Sequence, residues 1–438
     1  MARHLPRVLL FALAAILVGP SLASAARPVV LVNPHARGNG TAQSIQEGID
    51  MVDPGGKVMV FPATYNEAIV IDKGLTLAAV GGPRRPVIIA PPAAPPGAPT
   101  IAIRVATPEP VTIRHATVEI TGANGGIFGD GVVDVTVERV RMTVANPLPG
   151  AGFVVAVSNN APTTGRARLV VQDSSLDGSV AFANSPTPPF PNVLGIRVQG
   201  DVDALLEGNE IRRTAACIAV FMRNDFGGET NADILDNDLD ECYPLARLGS
   251  LIVQGQTVPS EPATAIGVVN IVGNTIRNTF GSCLPTTAIV QGFGSGRIER
   301  NRVLGVVQPC AVAISTRTPG AIWVGSLLPG AHPVSTVVRF NDIEGNAHAG
   351  LRVGPNITTS LDARCNWWGS ASGPSGAGPG TGDAVVLEPG AATPDLTPWA
   401  SAPIAETDRD HMHGELNKDS TEPAHLREMR RRQPCLED

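Results

Sequence analysis

The stretches ADILDNDL (Ala232–Leu239), VNIVGNTI (Val269–Ile276) and GRIERNRV (Gly296–Val303) fall into one register, with asparagine at Asn237, Asn274 and Asn301. The register continues outward. Towards the N-terminus it runs through LLEGNEI, LVVQDSSL, VTVERVRM and VTIRHATV, and towards the C-terminus through VVRFNDI and DARCNWW. The shared column is Ala116, Val140, Ser174, Asn209, Asn237, Asn274, Asn301, Asn341 and Asn366. Three residues before it every side chain is apolar, from Ile113 and Val137 to Val338 and Ala363. Two residues after it the same holds, from Val118 and Met142 to Ile343 and Trp368. Self-similarity at a period of about 20–50 residues marks a stacked repeat architecture. Side chains alternate along a strand, so the shared column and the position two residues on share the inward face, while the mostly polar positions one and three residues on face water. The two residues before the column break this alternation, as a tight corner between two strands would.

Successive column members lie 24, 34, 35, 28, 37, 27, 40 and 25 residues apart. Constant columns joined by variable lengths mean one invariant corner and loops of differing size. A helical solenoid is disfavoured, because the segments lack a 3.6-residue period and the chain holds 47 Gly and 39 Pro, which depress helix formation. The expected fold is all-β: a single-chain parallel solenoid of about ten to eleven coils, forming a rod on the order of 50 Å long at ~4.8 Å per coil. Asn209, Asn237, Asn274, Asn301, Asn341 and Asn366 read as a structural ladder. Asparagine tolerates left-handed or bridging backbone, and its amide both donates and accepts, so stacked copies can satisfy one another.

The chain opens with Arg3, His4 and Arg7, an apolar run from Val8 to Val18, and Ala23-Ser24-Ala25. This predicts a signal peptide over residues 1–25, and no later apolar run is long enough to span a bilayer. A secreted or periplasmic product is expected. One elongated unit over residues 26–400 follows from the repeat, because each coil contacts only its neighbours. The segment TAQSIQEGID (Thr41–Asp50) reads as a short helix capped by Thr41 and covering the open N-terminal end. At the other end Trp367, Trp368 and Trp399 form a Trp-rich cap, with a sugar-stacking platform as the rival reading. Residues 401–438 read as a charged tail.

The formal net charge is −7, with thirty arginines but only Lys57, Lys73 and Lys418 as lysines. No basic stripe runs along the chain, which excludes a nucleic-acid binder. Six cysteines in an exported chain suggest disulfides. Cys283 and Cys310 each lie nine residues past their column asparagine on consecutive coils, a position that suits a bond. Cys217 and Cys242 lie one coil apart in different columns, and Cys365 with Cys435 would tie the tail to the last coil.

SIQEGIDMVDPGGKVMVFPATYNEAIVIDKGLTL resembles the opening of right-handed parallel β-helix proteins of the pectin-lyase-like superfamily, in which a capping helix precedes the first coil. The N-x-I corners resemble the asparagine ladder of that fold, and CNWWGSASGP followed by TPW is similar to the closing signature of secreted bacterial β-helix repeat proteins. The resemblance implies a right-handed helix. It includes polysaccharide lyases, polygalacturonases, pectin methylesterases, uronate epimerases and a periplasmic copper-site maturation factor. The Gly-His-Gly with paired aspartates, the Gln-Asp-Thr segment and the Ca²⁺-aspartate cluster of the first three chemistries have no match here, and fold alone does not transmit activity.

The outward columns offer the candidate ligand site. Glu210 and Asp238 are like charges on adjacent coils, bordered by Arg212 and Asp240. Close carboxylates can work as an acid/base pair or bind a divalent cation, with Ca²⁺ the candidate cofactor; an exposed ion-pair ladder is the bland reading. Three functions stay open: an exported, monomeric β-helix that binds polysaccharide or a cell-surface partner without catalysis; a carbohydrate-active lyase, hydrolase or epimerase with a non-standard carboxylate site; and a periplasmic maturation or scaffold factor.

Overall fold

The computed structural model describes residues 27–35, 41–81, 86–92, 100–121, 125–145, 151–160, 165–178, 192–223, 228–242, 249–256, 267–279, 287–306, 320–325, 334–346, 348–404 and 435. The expected signal peptide, Cys283, Cys310 and the tail other than 401–404 and Cys435 lie outside them.

Three parallel sheets of twelve, ten and twelve strands run the length of the described chain. One coil shows the plan. Thr230–Leu235 belongs to the first sheet, Asp238–Cys242 to the second and Gly249–Gln256 to the third. Each strand pairs in parallel with its equivalents one coil before and one coil after, as Ile211↔Leu239↔Ile276 does in the second sheet. The architecture is a right-handed parallel β-helix. The apolar columns read from the sequence fill its interior: Ile234, Leu239, Ile271, Ile276, Ile298 and Val303 are all fully buried.

The corner between the first and second sheets has the same length in the coils that carry the shared column, from Arg114–Thr117 to Arg339–Asp342. Its left-handed residue is the one before the shared column: His115, Arg139, Asp173, Gly208, Asp236, Gly273, Arg300, Phe340 and Cys365, with φ from 48° to 73°. This corrects the backbone half of the asparagine reading. The asparagines do not adopt the left-handed conformation; their neighbours do. At Gly273 a Cβ would also press on the Asp236 carboxylate, which would have to move aside. A second left-handed corner follows four residues after the column, at Arg213, Glu241, Asn278, Gly305 and Gly345.

What asparagine supplies is its amide. Asn274 is representative. Its Nδ2 donates to Ile234 O on the coil before (2.8 Å) and to Asn301 Oδ1 on the coil after (3.0 Å), and its backbone N–H donates to the same Oδ1 (3.0 Å). Asn237 presents its N–H and Nδ2 to Asn274 Oδ1 in the same way. The column starts at Ser174, whose N–H donates to Asn209 Oδ1, and ends at Asn366, whose Nδ2 turns to Val338 O and Ala363 O. Donor and acceptor are both used at each rung, so polar groups with almost no exposure are satisfied.

The N-terminal helix spans Ile45–Met51, and Ser44 rather than Thr41 caps it: the Ser44 hydroxyl accepts from Glu47 N. Thr41 and Ala42 are instead drawn into the first sheet beside Leu31 and Val32. Glu67, from the coil beneath, accepts from Ile45 N and Gln46 N at 2.7 and 3.0 Å, so an acid meets the positive end of the helix. At the other end Trp368 is fully buried, and Trp399 packs on Gly373, where a Cβ would lie 2.5 Å from the indole. Two disulfides among the described residues close this frame. Cys217 pairs with Cys242 across the second corner (Cα–Cα 5.6 Å), and Cys365 pairs with Cys435 (5.2 Å).

Candidate functional site

The structure brings Glu210, Arg212, Asp238 and Asp240 together on the outer face of the second sheet. Ser175, Glu210, Asp238 and Thr275 form one outward column, and Asp177, Arg212, Asp240 and Arg277 the next. Arginines occupy the spaces between the acids. Arg277 Nη2 lies 2.8 Å from Asp238 and its Nε 3.4 Å from Asp240. Arg212 lies 3.4 Å from Asp177 and 3.5 Å from Glu210, while Arg213 also pairs with Asp177. Asn278 Nδ2 donates to Asp240 Oδ1 at 2.8 Å. Burial holds the Asp238 carboxyl above the ordinary aspartate range; Arg277 pulls it back, and the like charges of Asp240 and Glu210 add to the rise. Among the described residues no group of three or more His, Cys, Asp or Glu is placed to hold a metal ion.

A second surface was not singled out from the sequence. On the third sheet Ile103-Arg104-Val105, Ile196-Arg197-Val198 and Leu351-Arg352-Val353 turn their aliphatic residues inward and their arginines outward. Each arginine lies over an aromatic ring: Arg104 over Phe128 at 5.6 Å, Arg197 over Phe221 at 5.7 Å and Arg352 over Trp323 at 5.6 Å. Phe153 packs on Phe128 with ring centroids 5.4 Å apart. Ala219, Ile252 and Val290 continue the same outward column and are buried, clustering with Trp323, Leu194 and Phe221. Arg104 is exposed, Arg197, Phe128 and Phe221 are half-buried, and Arg352 is buried and pairs with Glu388 at 2.9 Å. The recurring aliphatic-Arg-Val triplet is the signal that could have revealed this face.

A third feature lies near the C-terminal end, where the loop after Asp342–Glu344 meets the strand Gly382–Leu387. A cleft of about 690 Å³ is lined by Glu344, Asn346, His348, Trp368, Thr381 and Asp383, among others. Asp383 Oδ2 accepts from Asn346 N and Nδ2, and Glu344 accepts from Trp367 Nε1 at 3.0 Å. Burial raises the Asp383 carboxyl; its hydrogen bonds from Asn346 and Gly345 pull the other way, and the neighbouring Glu344 charge adds to the rise.

Neither the family models nor the curated proteins give a match to this sequence. Among solved structures the chain superimposes on the Dettilon tailspike protein with a TM-score of 0.46 and 13% identity, covering 82% of this chain and 68% of that one. The catalytic domain of a GH87 α-1,3-glucanase in complex with tetrasaccharides gives 0.41 and 11%, over 88% and 70%. A pectate lyase gives 0.38 and 13%, over 73% and 79%. At such identities and TM-scores the likeness assigns no family, and the parallel β-helix stands on the sheet topology of the chain itself.

Proposed function

We propose that this protein is an exported β-helix that binds an extended acidic polysaccharide along the outer face of its third sheet, without catalysis. The observation that carries the reading is the two accessible arginine–aromatic pairs on that face, Arg104 with Phe128 and Arg197 with Phe221; the buried Arg352, paired with Glu388, takes no part in it. Aromatic rings offer flat apolar surface for the face of a sugar ring. Guanidinium groups recognise carboxylates through paired, charge-assisted hydrogen bonds. The coil spacing of about 4.8 Å is comparable to one sugar residue of an extended glycan, so a chain lying along the rod can repeat its contacts from coil to coil. The acids of the second sheet serve this reading as a charge-compensated ladder. Export is part of the proposal, and the two disulfides fit an oxidising compartment.

Calorimetric titration with polygalacturonate and with dextran tests it. Polygalacturonate binds, more weakly as salt rises, and dextran does not. Arg197→Gln lowers the polyuronate affinity by about tenfold, one charge-assisted contact. Equal binding of the two polymers, or an unchanged affinity in the variant, overturns the reading. New reducing ends or unsaturated uronate absorbance during the titration would shift the assignment to a carbohydrate-active enzyme.

A further inference from the structure

The second corner carries a short hydrogen-bonded stack of its own. Asn346 Oδ1 accepts from Val306 N at 3.1 Å, and Asn346 Nδ2 reaches back to Val303 O at 3.4 Å. Its N–H and Nδ2 then donate forward to Asp383 Oδ2 at 3.0 and 2.7 Å. These are the bonds made at each rung of the asparagine column, with a carboxylate oxygen where the next amide oxygen would stand. An amide would accept the same bonds and bring no charge into a partly buried site. The ladder chemistry therefore does not account for an acid at this position.

The surroundings supply a use for it. Asp383 and Glu344 line the same cleft, and among the described residues neither forms an ion pair. Among the described residues no lysine or arginine lines the cleft, and the other polar side chains there are Asn346, His348, Thr381 and Trp368. Trp368 is fully buried, and its indole Nε1 has no hydrogen-bond partner. A volume of about 690 Å³ falls within the range of small-ligand sites, about 300–1,000 Å³. Two uncompensated carboxylates select for positive charge, and the His348 imidazole and Thr381 hydroxyl on the rim can pair with hydroxyls of a ligand.

We propose that this cleft is a binding site for a cationic saccharide unit, an amino sugar of one or two residues, whose ammonium group is received by Glu344 and Asp383. The site is separate from the arginine–aromatic face and of opposite charge preference.

The probes are the β-1,4-linked disaccharide of glucosamine and its N-acetylated counterpart, which has similar linkage and no charge, titrated into the full chain at low salt. The amine form binds at least about tenfold more tightly than the acetylated form. Asp383→Asn and Glu344→Gln, which keep the hydrogen-bond acceptors, each weaken the amine form by about tenfold, while binding of polygalacturonate stays as in the parent protein. No binding of the amine form, equal binding of the two disaccharides, or parent-like affinity in both variants overturns the proposal. If Asp383→Asn fails to fold, Glu344→Gln decides alone. Loss of polygalacturonate binding in the parent protein would count against the third-sheet reading only.

Discussion

The asparagine column and the Asn346–Asp383 stack use one bonding pattern and end in different chemistry. In the column, each rung hands its N–H and amide to the oxygen of another amide, as Asn237 does to Asn274 and Asn274 to Asn301. In the stack, Asn346 hands the same two donors to a carboxylate. The column lies inside the rod, where an amide satisfies its neighbours with no net charge. The stack opens on a cleft, where a charge can meet a ligand or solvent. The hydrogen-bond geometry fixes that an oxygen must be present; exposure decides whether that oxygen can carry charge.

The largest effect is expected from forcing the stack's chemistry into the column. Asn274→Asp removes the Nδ2 donor to Ile234 O and Asn301 Oδ1 and places a carboxylate in a fully buried site. Stability at neutral pH falls by roughly 3–5 kcal/mol, the range for an uncompensated buried polar or charged group. Urea denaturation measures it. A loss below about 1 kcal/mol would mean that the column does not need its donors.

Next comes the second sheet, whose acids differ from those of the cleft by having an arginine between them. Arg277→Gln turns Asp238 and Asp240 into an uncompensated pair. The cost is about 1 kcal/mol, kept small because the arginine is 42% exposed and water screens the pair. Added Ca²⁺ then raises the melting temperature of the variant and leaves that of the parent protein unchanged. Stabilisation of the parent protein by Ca²⁺ would restore the acid pair as a cation site.

The smallest effect has the opposite sign. Asp383→Asn continues the stack with an amide and slightly raises stability at neutral pH. The sign follows from the direction of the shift. The folded-state pKa of Asp383 is raised, so the folded protein binds its proton more tightly than the unfolded chain does. Stability is greatest below the ordinary aspartate pKa and declines as pH rises through the folded value. The variant loses this slope, and urea denaturation series from acid to neutral pH compare the two proteins. A variant less stable than its parent throughout would show that the carboxylate serves the fold.

Much of the frame was legible because the corner between the first and second sheets has a constant length. Residues such as Ile234, Asn237, Leu239 and Asp240 keep their spacing in every repeat, so the columns of these two sheets could be read directly. The juxtaposition of Glu210 with Asp238 and of Arg212 with Asp240 follows from that spacing. Third-sheet strands follow connections of changing length, from a single residue between Thr214 and Ala216 to fifteen between Leu304 and Gly320. Their register is invisible in a linear comparison, and Arg104, Arg197 and Arg352 went unnoticed for that reason. Asp383 was hidden differently. It comes from the closing strand and enters the Asn346 stack across 37 residues of chain.

By itself the sequence determined the parallel stack, the inward apolar columns and the amide ladder, because these depend on local alternation and on a corner too tight to vary. Only the tertiary structure decided which residue takes the left-handed turn, which carboxylates receive an arginine and which are left facing a cleft. Those outcomes depend on where long side chains and distant strands meet in space, and unequal loops erase that information from the order of residues along the chain.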